Sequence, residues 1–397
     1  KQIEKNKKPK LYLVISLIYN IGNLLIFKYT DFFISNINNL FKTNIPYLYI
    51  IMPIGISFYT FQIIAYIIDV YNKKHKPAKN IFDFMTYVCL FPQLVAGPIV
   101  RYSTIESELT TRTHNFDNFS DGIKRFTIGL SKKVLLANVL GEFSKSLITE
   151  TILSSWLKSI AYTLQIYFDF SGYSDMAIGL GLMFGFRFLE NFNYPLISSS
   201  ITDFWRRWHI SLSSWFRDYV YIPLGGNRVS KLKWLRNLFI VWFLTGFWHG
   251  ASWNFIIWGL YFGIILVIEK IFLGKYLEKT KILKHIYSLI IITISFLIFN
   301  SNSTIEILTS LKNMFCINNL EFTNHETIYY LRSYTVLLII SIISATPLLK
   351  NIITKIKTTK YKNIIDTLEP ITYIILLIIS TAFLIDESFN PFLYFRF

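Results

Sequence analysis

The feature that most constrains this chain is a series of apolar segments near membrane-spanning length, separated by loops in which the lysines gather. The segments fall at about 11–29, 47–70, 83–100, 121–143, 153–186, 235–262, 285–300, 334–349 and 371–386. About 20 helical residues cross a hydrocarbon layer about 30 Å thick. Only helices and closed barrels satisfy every backbone group inside that layer. Several segments are interrupted by Gly, Pro or charge, so the pattern predicts an all-α, polytopic membrane protein with roughly nine to eleven transmembrane or re-entrant helices. With 53% hydrophobic and 18% aromatic residues, a water-soluble globular fold is excluded.

The loop charges give an orientation. Residues 1–10 hold five lysines, 72–80 hold four and 350–362 hold five with no acid. By the positive-inside rule these face the cytoplasm, whereas 30–46 and the slightly acidic 301–333 face outward. Segment 101–120 mixes both signs and fixes no side. The net charge of +16 raises nucleic acid as a partner, but the lysines lie between apolar runs and not on one polar face. Cytoplasmic loops explain them, and no nucleic-acid role is expected. Two cysteines, Cys89 and Cys316, with no C-x-x-C pair, argue against a disulfide framework or thiolate metal site.

Polar residues inside apolar runs are the candidate chemistry, because hydrocarbon penalises any polar group that lacks a partner. His249 is thirteen residues past Arg236, the last cation before its run. That places it roughly 20 Å along a helix axis. Trp248, Gly250 and Trp253 flank it, and a small neighbour leaves room for a ligand or a close backbone. His209 lies among Trp205, Arg206, Arg207, Trp208 and Trp215, an amphipathic setting suggestive of an interface. Asp169, Ser171, Tyr173 and Asp175 share one apolar stretch. Asp169 and Tyr173 are four apart, on one face of a continuous helix. They either line a reaction chamber or tie helices together through Arg187 or backbone groups. Pro92, Gly97 and Pro98 break the 83–100 segment, as a packing kink or as the wall of a cavity. The connector 217–236 carries Arg217, Arg228 and Arg236 around Gly225 and Gly226. It lacks the G-K-S/T end of a phosphate-binding loop. It reads as a positive-inside loop or as a basic surface that attracts an anionic acyl donor. Forty residues separate the two histidines and no i, i+4 ligand pair exists, so no metal site is expected.

The strings YFDFSGYSDMAIGLGLMFGF (167–186), ITDFWRRWHISLSSWFRDYVYIPLGGNR (201–228) and GFWHGASWNFIIWG (246–259) resemble the membrane-bound O-acyltransferase family. Within it, the likeness is to the alginate O-acetyltransferase membrane subunit and peptidoglycan-acetylating relatives. It extends to PIGISFYTFQIIAYIIDVY (53–71), LFPQLVAGPIVRY (90–102) and NPFLYFRF (390–397). The resemblance implies one membrane-bound O-acyltransferase domain over residues 1–397, with helices around a central channel. Further N-terminal spans are expected ahead of the KQIEKNKKPK start.

By the same resemblance His249 matches the active-site histidine and His209 the second polar position of the family. Trp205, Trp208, Trp248 and Asn254 join Asp169, Ser171, Tyr173 and Asp175 as channel candidates. The implied activity moves an acetyl group from a cytoplasmic thioester, such as acetyl-coenzyme A, across the membrane for O-acetylation of a cell-surface or extracellular polysaccharide, alginate-like or peptidoglycan. No bound cofactor is expected. A periplasmic or extracellular acetyltransferase partner is, because the chain has no G-x-S-x-G elbow. The implied location is the cytoplasmic (inner) membrane of a bacterium. D-alanyl transfer to teichoic acid is an alternative within the family, and a non-catalytic transporter or exporter is one outside it.

Overall fold

A computed structural model of the chain describes residues 3, 8–95, 97–386 and 392–393. Among them there are helices and no strand. The helices used below are α1 (Pro9–Phe41), α2 (Ile56–Tyr71), α3 (Ile81–Cys89), α4 (Phe116–Ser131), α5 (Ile152–Met183), α6 (Ile201–Arg207), α7 (Ile210–Phe216), α8 (Lys231–His249), α9 (Trp253–Ile268), α10 (Leu283–Asn300) and α11 (Lys362–Asp386). Among the described residues, four helical stretches are long and apolar enough to cross a membrane: α1, Trp253–Leu277, α10 and α11. A fifth arises if His325–Ser333 and Thr335–Ser344, bent by 56°, form one span. Only 6% of the most apolar window of α1, and of α11, is buried, so their Ile, Leu and Phe side chains point outward. In water such surface would aggregate, and in lipid it is solvated.

The remaining apolar segments fold as shorter or more polar helices. The 83–100 segment breaks after Cys89 at Leu90, whose extended backbone precedes the short Phe91–Leu94 helix with Pro92 in its first turn. The 121–143 segment runs from α4 through a π-turn at Lys132–Asn138 into Val139–Ser146. The 235–262 segment is two helices, α8 and α9. Gly250 follows α8 in extended backbone (φ −171°, ψ 160°) and ends it one residue past His249.

The chain divides into two compact units. One contains residues 1–122, 177–190 and 211–252; the other contains 123–176, 191–210 and 253–397. In the first, α1 packs on α2 through Leu24, Tyr29 and Ile56, with Phe247 against them. In the second, α9 packs on α10, and α6 lies against both.

Candidate active site

In the first unit α8 delivers His249 at its last position, 5% exposed. A helix end leaves its final carbonyls without intrahelical donors. Here α1 supplies them. Lys28 Nζ donates to Trp248 O (2.8 Å), His249 O (3.1 Å) and Ser57 Oγ (3.2 Å). The next residue, Tyr29, donates its hydroxyl to Phe247 O and stacks on the Phe247 ring at 4.1 Å. Trp248 donates Nε1 to Ser57 O (3.3 Å) and packs edge-on to Phe58. Its ring also meets that of His249 at 5.0 Å. Phe61, one turn along α2 from Ser57, stacks on Trp215 at 3.8 Å and lies 5.2 Å from Trp248. The histidine therefore sits at a capped helix end beside an aromatic wall built from α2, α7 and α8.

The basic connector belongs to the same unit. Arg217, Arg228 and Arg236 are exposed. Arg217 is paired to Asp218 (2.7 Å), which also receives Arg101 (2.7 Å). Burial opposes ionisation of Asp218, yet hydrogen bonds from Arg217 and Arg101 hold its carboxyl below the usual range. Arg236 donates to Asn237 Oδ1, while Asn237 Nδ2 binds the carbonyls of Leu224 and Gly226. Gly225 and Gly226 have φ of 97° and 56°, the left-handed turn that favours glycine.

In the second unit His209 is fully buried, not interfacial as its Trp/Arg neighbours suggest. The rings of Trp205 and Trp208 turn inward onto Phe204, Phe262 and Phe296 and are buried with them. Trp205 also meets Trp258 edge-on. His209 sits at the break between α6 and α7 with φ 43°. For a non-glycine residue that conformation costs about 1–2 kcal/mol, and such strain gathers at functional sites. Its Nδ1 faces Asn191 Oδ1 (3.2 Å), and Asn191 Nδ2 donates to Ser174 Oγ (3.2 Å). With the amide oxygen turned to the ring, Nδ1 carries the proton and Nε2 is the acceptor. Phe170 packs edge-on at 4.7 Å.

Ahead of His209, buried Glu269 accepts from Ile201 N (2.6 Å), Thr202 N (3.1 Å) and Thr202 Oγ1 (3.0 Å). A carboxylate there satisfies the orphan amides of the α6 start and complements its positive end. Asn254 donates to Phe299 O (3.0 Å), tying α9 to α10.

The stretch 169–175 lies on one continuous helix, α5. Asp169 pairs with Lys133 (2.6 Å), and its other oxygen accepts Leu393 N (2.8 Å). Phe392 packs against both the Tyr173 ring (4.6 Å) and the Lys133 ammonium (4.9 Å). Of the 390–397 string, these two residues are the described ones. Asp175 receives Arg125 (2.6 Å) and Lys132 (2.6 Å). The cations on both carboxylates come from 125–133, at the end of α4 and in its π-turn, and not from Arg187. Ser171 Oγ, buried, has no hydrogen-bond partner among the described residues. Lys28, Asn191 and Glu269 were not legible as site residues. Lys28 alone carried a signal, as a cation within the first apolar segment.

A family model described as MBOAT, membrane-bound O-acyltransferase family, matches residues 74–304. The chain is 37% identical over 429 residues to probable alginate O-acetylase AlgI of Azotobacter vinelandii, covering 99% of this chain and 86% of that protein. It is 35% identical over 450 residues to peptidoglycan O-acetyltransferase of Helicobacter pylori, covering 100% and 84%. To teichoic acid D-alanyltransferase of Bacillus subtilis it is 31% identical over 243 residues, covering 57% and 61%.

Proposed function

The chain belongs to the membrane-bound O-acyltransferase family and is a multi-pass membrane O-acyltransferase; from that premise we propose that it moves an acetyl group from a cytoplasmic thioester for O-acetylation of a cell-surface or extracellular polysaccharide. The observation that carries the reading is His249, a buried histidine at a helix end deep in an apolar run, within the stretch the family model matches. A hydroxyl is a weak nucleophile near neutral pH and needs a positioned base, a role that imidazole suits. In this reading the acceptor oxygen attacks the thioester carbonyl carbon while His249 takes its proton. The tetrahedral oxyanion then collapses, the C–S bond breaks, and the thiolate leaves with the proton from the imidazolium. His209, by its match to the second polar position of the family, is assigned to orient the acyl group and not to stabilise the oxyanion, since its one N–H, on Nδ1, is held by Asn191. Asp169 and Asp175, each paired to cations, act as struts of α5, and Ser171, Tyr173, Trp205, Trp208, Trp248 and Asn254 are channel candidates. Arg217, Arg228 and Arg236 attract the anionic donor.

The same reading holds residues 1–397 as one domain with roughly nine to eleven passes or re-entrant pieces in the bacterial inner membrane. Acetyl-coenzyme A is the proposed donor, and a periplasmic or extracellular acetyltransferase completes the transfer. The match to a D-alanyltransferase is 31% identical, below the 37% and 35% of the two acetylating relatives that cover nearly the whole chain, which favours acetyl over D-alanyl transfer. The test is ester-linked acetate on surface polymers in cells lacking the native gene, complemented by wild type, His249→Ala or His209→Ala at equal membrane levels. His249→Ala is expected to abolish the ester; full acetylation by it would refute the base assignment.

A further inference from the structure

Lys28 sits inside α1, with about 28 Å of helix before it and about 20 Å after it. A cation at such depth is held by a carboxylate or by backbone carbonyls. Each of its three hydrogen bonds goes to an uncharged oxygen: the carbonyls of Trp248 and His249 and the hydroxyl of Ser57. An ammonium has three N–H groups, and three acceptors occupy them. No N–H is left over for a substrate oxyanion, so Lys28 does not touch the reacting atoms. Its charge faces the C-terminal end of the 19-residue helix α8, where the macrodipole is negative and where low dielectric magnifies the attraction. Tyr29 adds the third carbonyl, Phe247 O. Two consecutive residues of α1 thus take the last three carbonyls of the helix that ends in His249. Gly250 leaves that helix in extended backbone and provides no αL cap of its own.

We propose that Lys28 and Tyr29 are positioning residues that fix the last turn of α8 and, through it, the direction of the His249 imidazole; the inference rests on the reading of His249 as the base. Ser57 holds the device to α2, since its hydroxyl accepts Lys28 and its carbonyl accepts Trp248 Nε1. A catalytic imidazole displaced by about 1 Å loses on the order of 100-fold in rate.

The experiment compares wild type, Lys28→Met, Lys28→Arg, Tyr29→Phe, His249→Ala and the surface control Lys10→Met, purified in detergent. Hydrogen exchange of residues 246–249 is read beside the kcat and KM for acetyl transfer. Lys28→Met is expected to speed exchange in the last turn about tenfold or more. It should also lower kcat about 10–100-fold with KM for the donor unchanged. Lys28→Arg should recover most of both effects, and Tyr29→Phe, which keeps the ring stacking, should show a smaller shift of the same kind. Wild-type exchange in folded Lys28→Met overturns the proposal, as does faster exchange with unchanged kcat. Should Lys28→Met fail to fold, Tyr29→Phe decides on the same two readouts. Full transfer by His249→Ala would sink the base assignment alone, leaving exchange to report whether Lys28 holds this helix end.

Discussion

The Asn191 amide faces His209 Nδ1 with its oxygen and reaches Ser174 with its nitrogen, so replacing it removes a hydrogen bond from each of two buried polar side chains. Asn191→Leu is therefore expected to lower acetyl transfer about tenfold, the worth of one such hydrogen bond. Transfer assays at equal folded protein check this, and an unchanged rate would remove Asn191 from the site. His249 and His209 were legible as single residues because each is an ionisable group in an apolar or aromatic run. Their partners were not. Asn191 lies in a polar loop where an asparagine excites no suspicion, and Lys28 pairs with carbonyls, which no side-chain pattern announces. Asp169 and Asp175 were legible as costly groups, but their partners Lys133, Lys132 and Arg125 come from a helix some forty residues earlier.

Two short elements depend on charges that reach them from elsewhere in the chain. Glu269 closes the start of α6 with three hydrogen bonds, so Glu269→Gln, which turns donors toward donors, should cost about 2–3 kcal/mol. Thermal unfolding of the solubilised protein measures the loss, and a wild-type Tm would contradict the capping role. Around the connector, Asp218 has a folded pKa depressed by Arg217 and Arg101 against the effect of burial. A depressed acid stabilises the fold above its unfolded pKa of about 4 and loses that contribution as pH falls through the lower folded value. Asp218→Asn should therefore flatten the acid side of the Tm-against-pH curve, and an unaltered slope would show the cluster to be inert. Element existence was legible from apolar length. The break at Gly250 was not, because a glycine inside an apolar run fits a helix stop, a kink or a close approach alike, and the α1 donors that meet the open carbonyls lie far away in sequence.

At the scale of the molecule, apolar runs and lysine-rich loops read directly as an all-α membrane protein, and the outward Ile and Leu side chains of α1 and α11 agree with it. The long family strings carried the chemistry, since composition and periodicity do not distinguish an acyltransferase from a transporter. The number of passes was the least legible feature, because interrupted segments such as 83–100 divide into pieces too short for length alone to classify. Transfer of an acetyl group to its acceptor by way of His249 is tested with the purified protein in sealed vesicles, with radiolabelled acetyl thioester outside and a hydroxyl acceptor enclosed. Ester-linked label is expected inside with wild type and none with His249→Ala. Uptake of the intact thioester without ester formation, or equal labelling by His249→Ala, would contradict it.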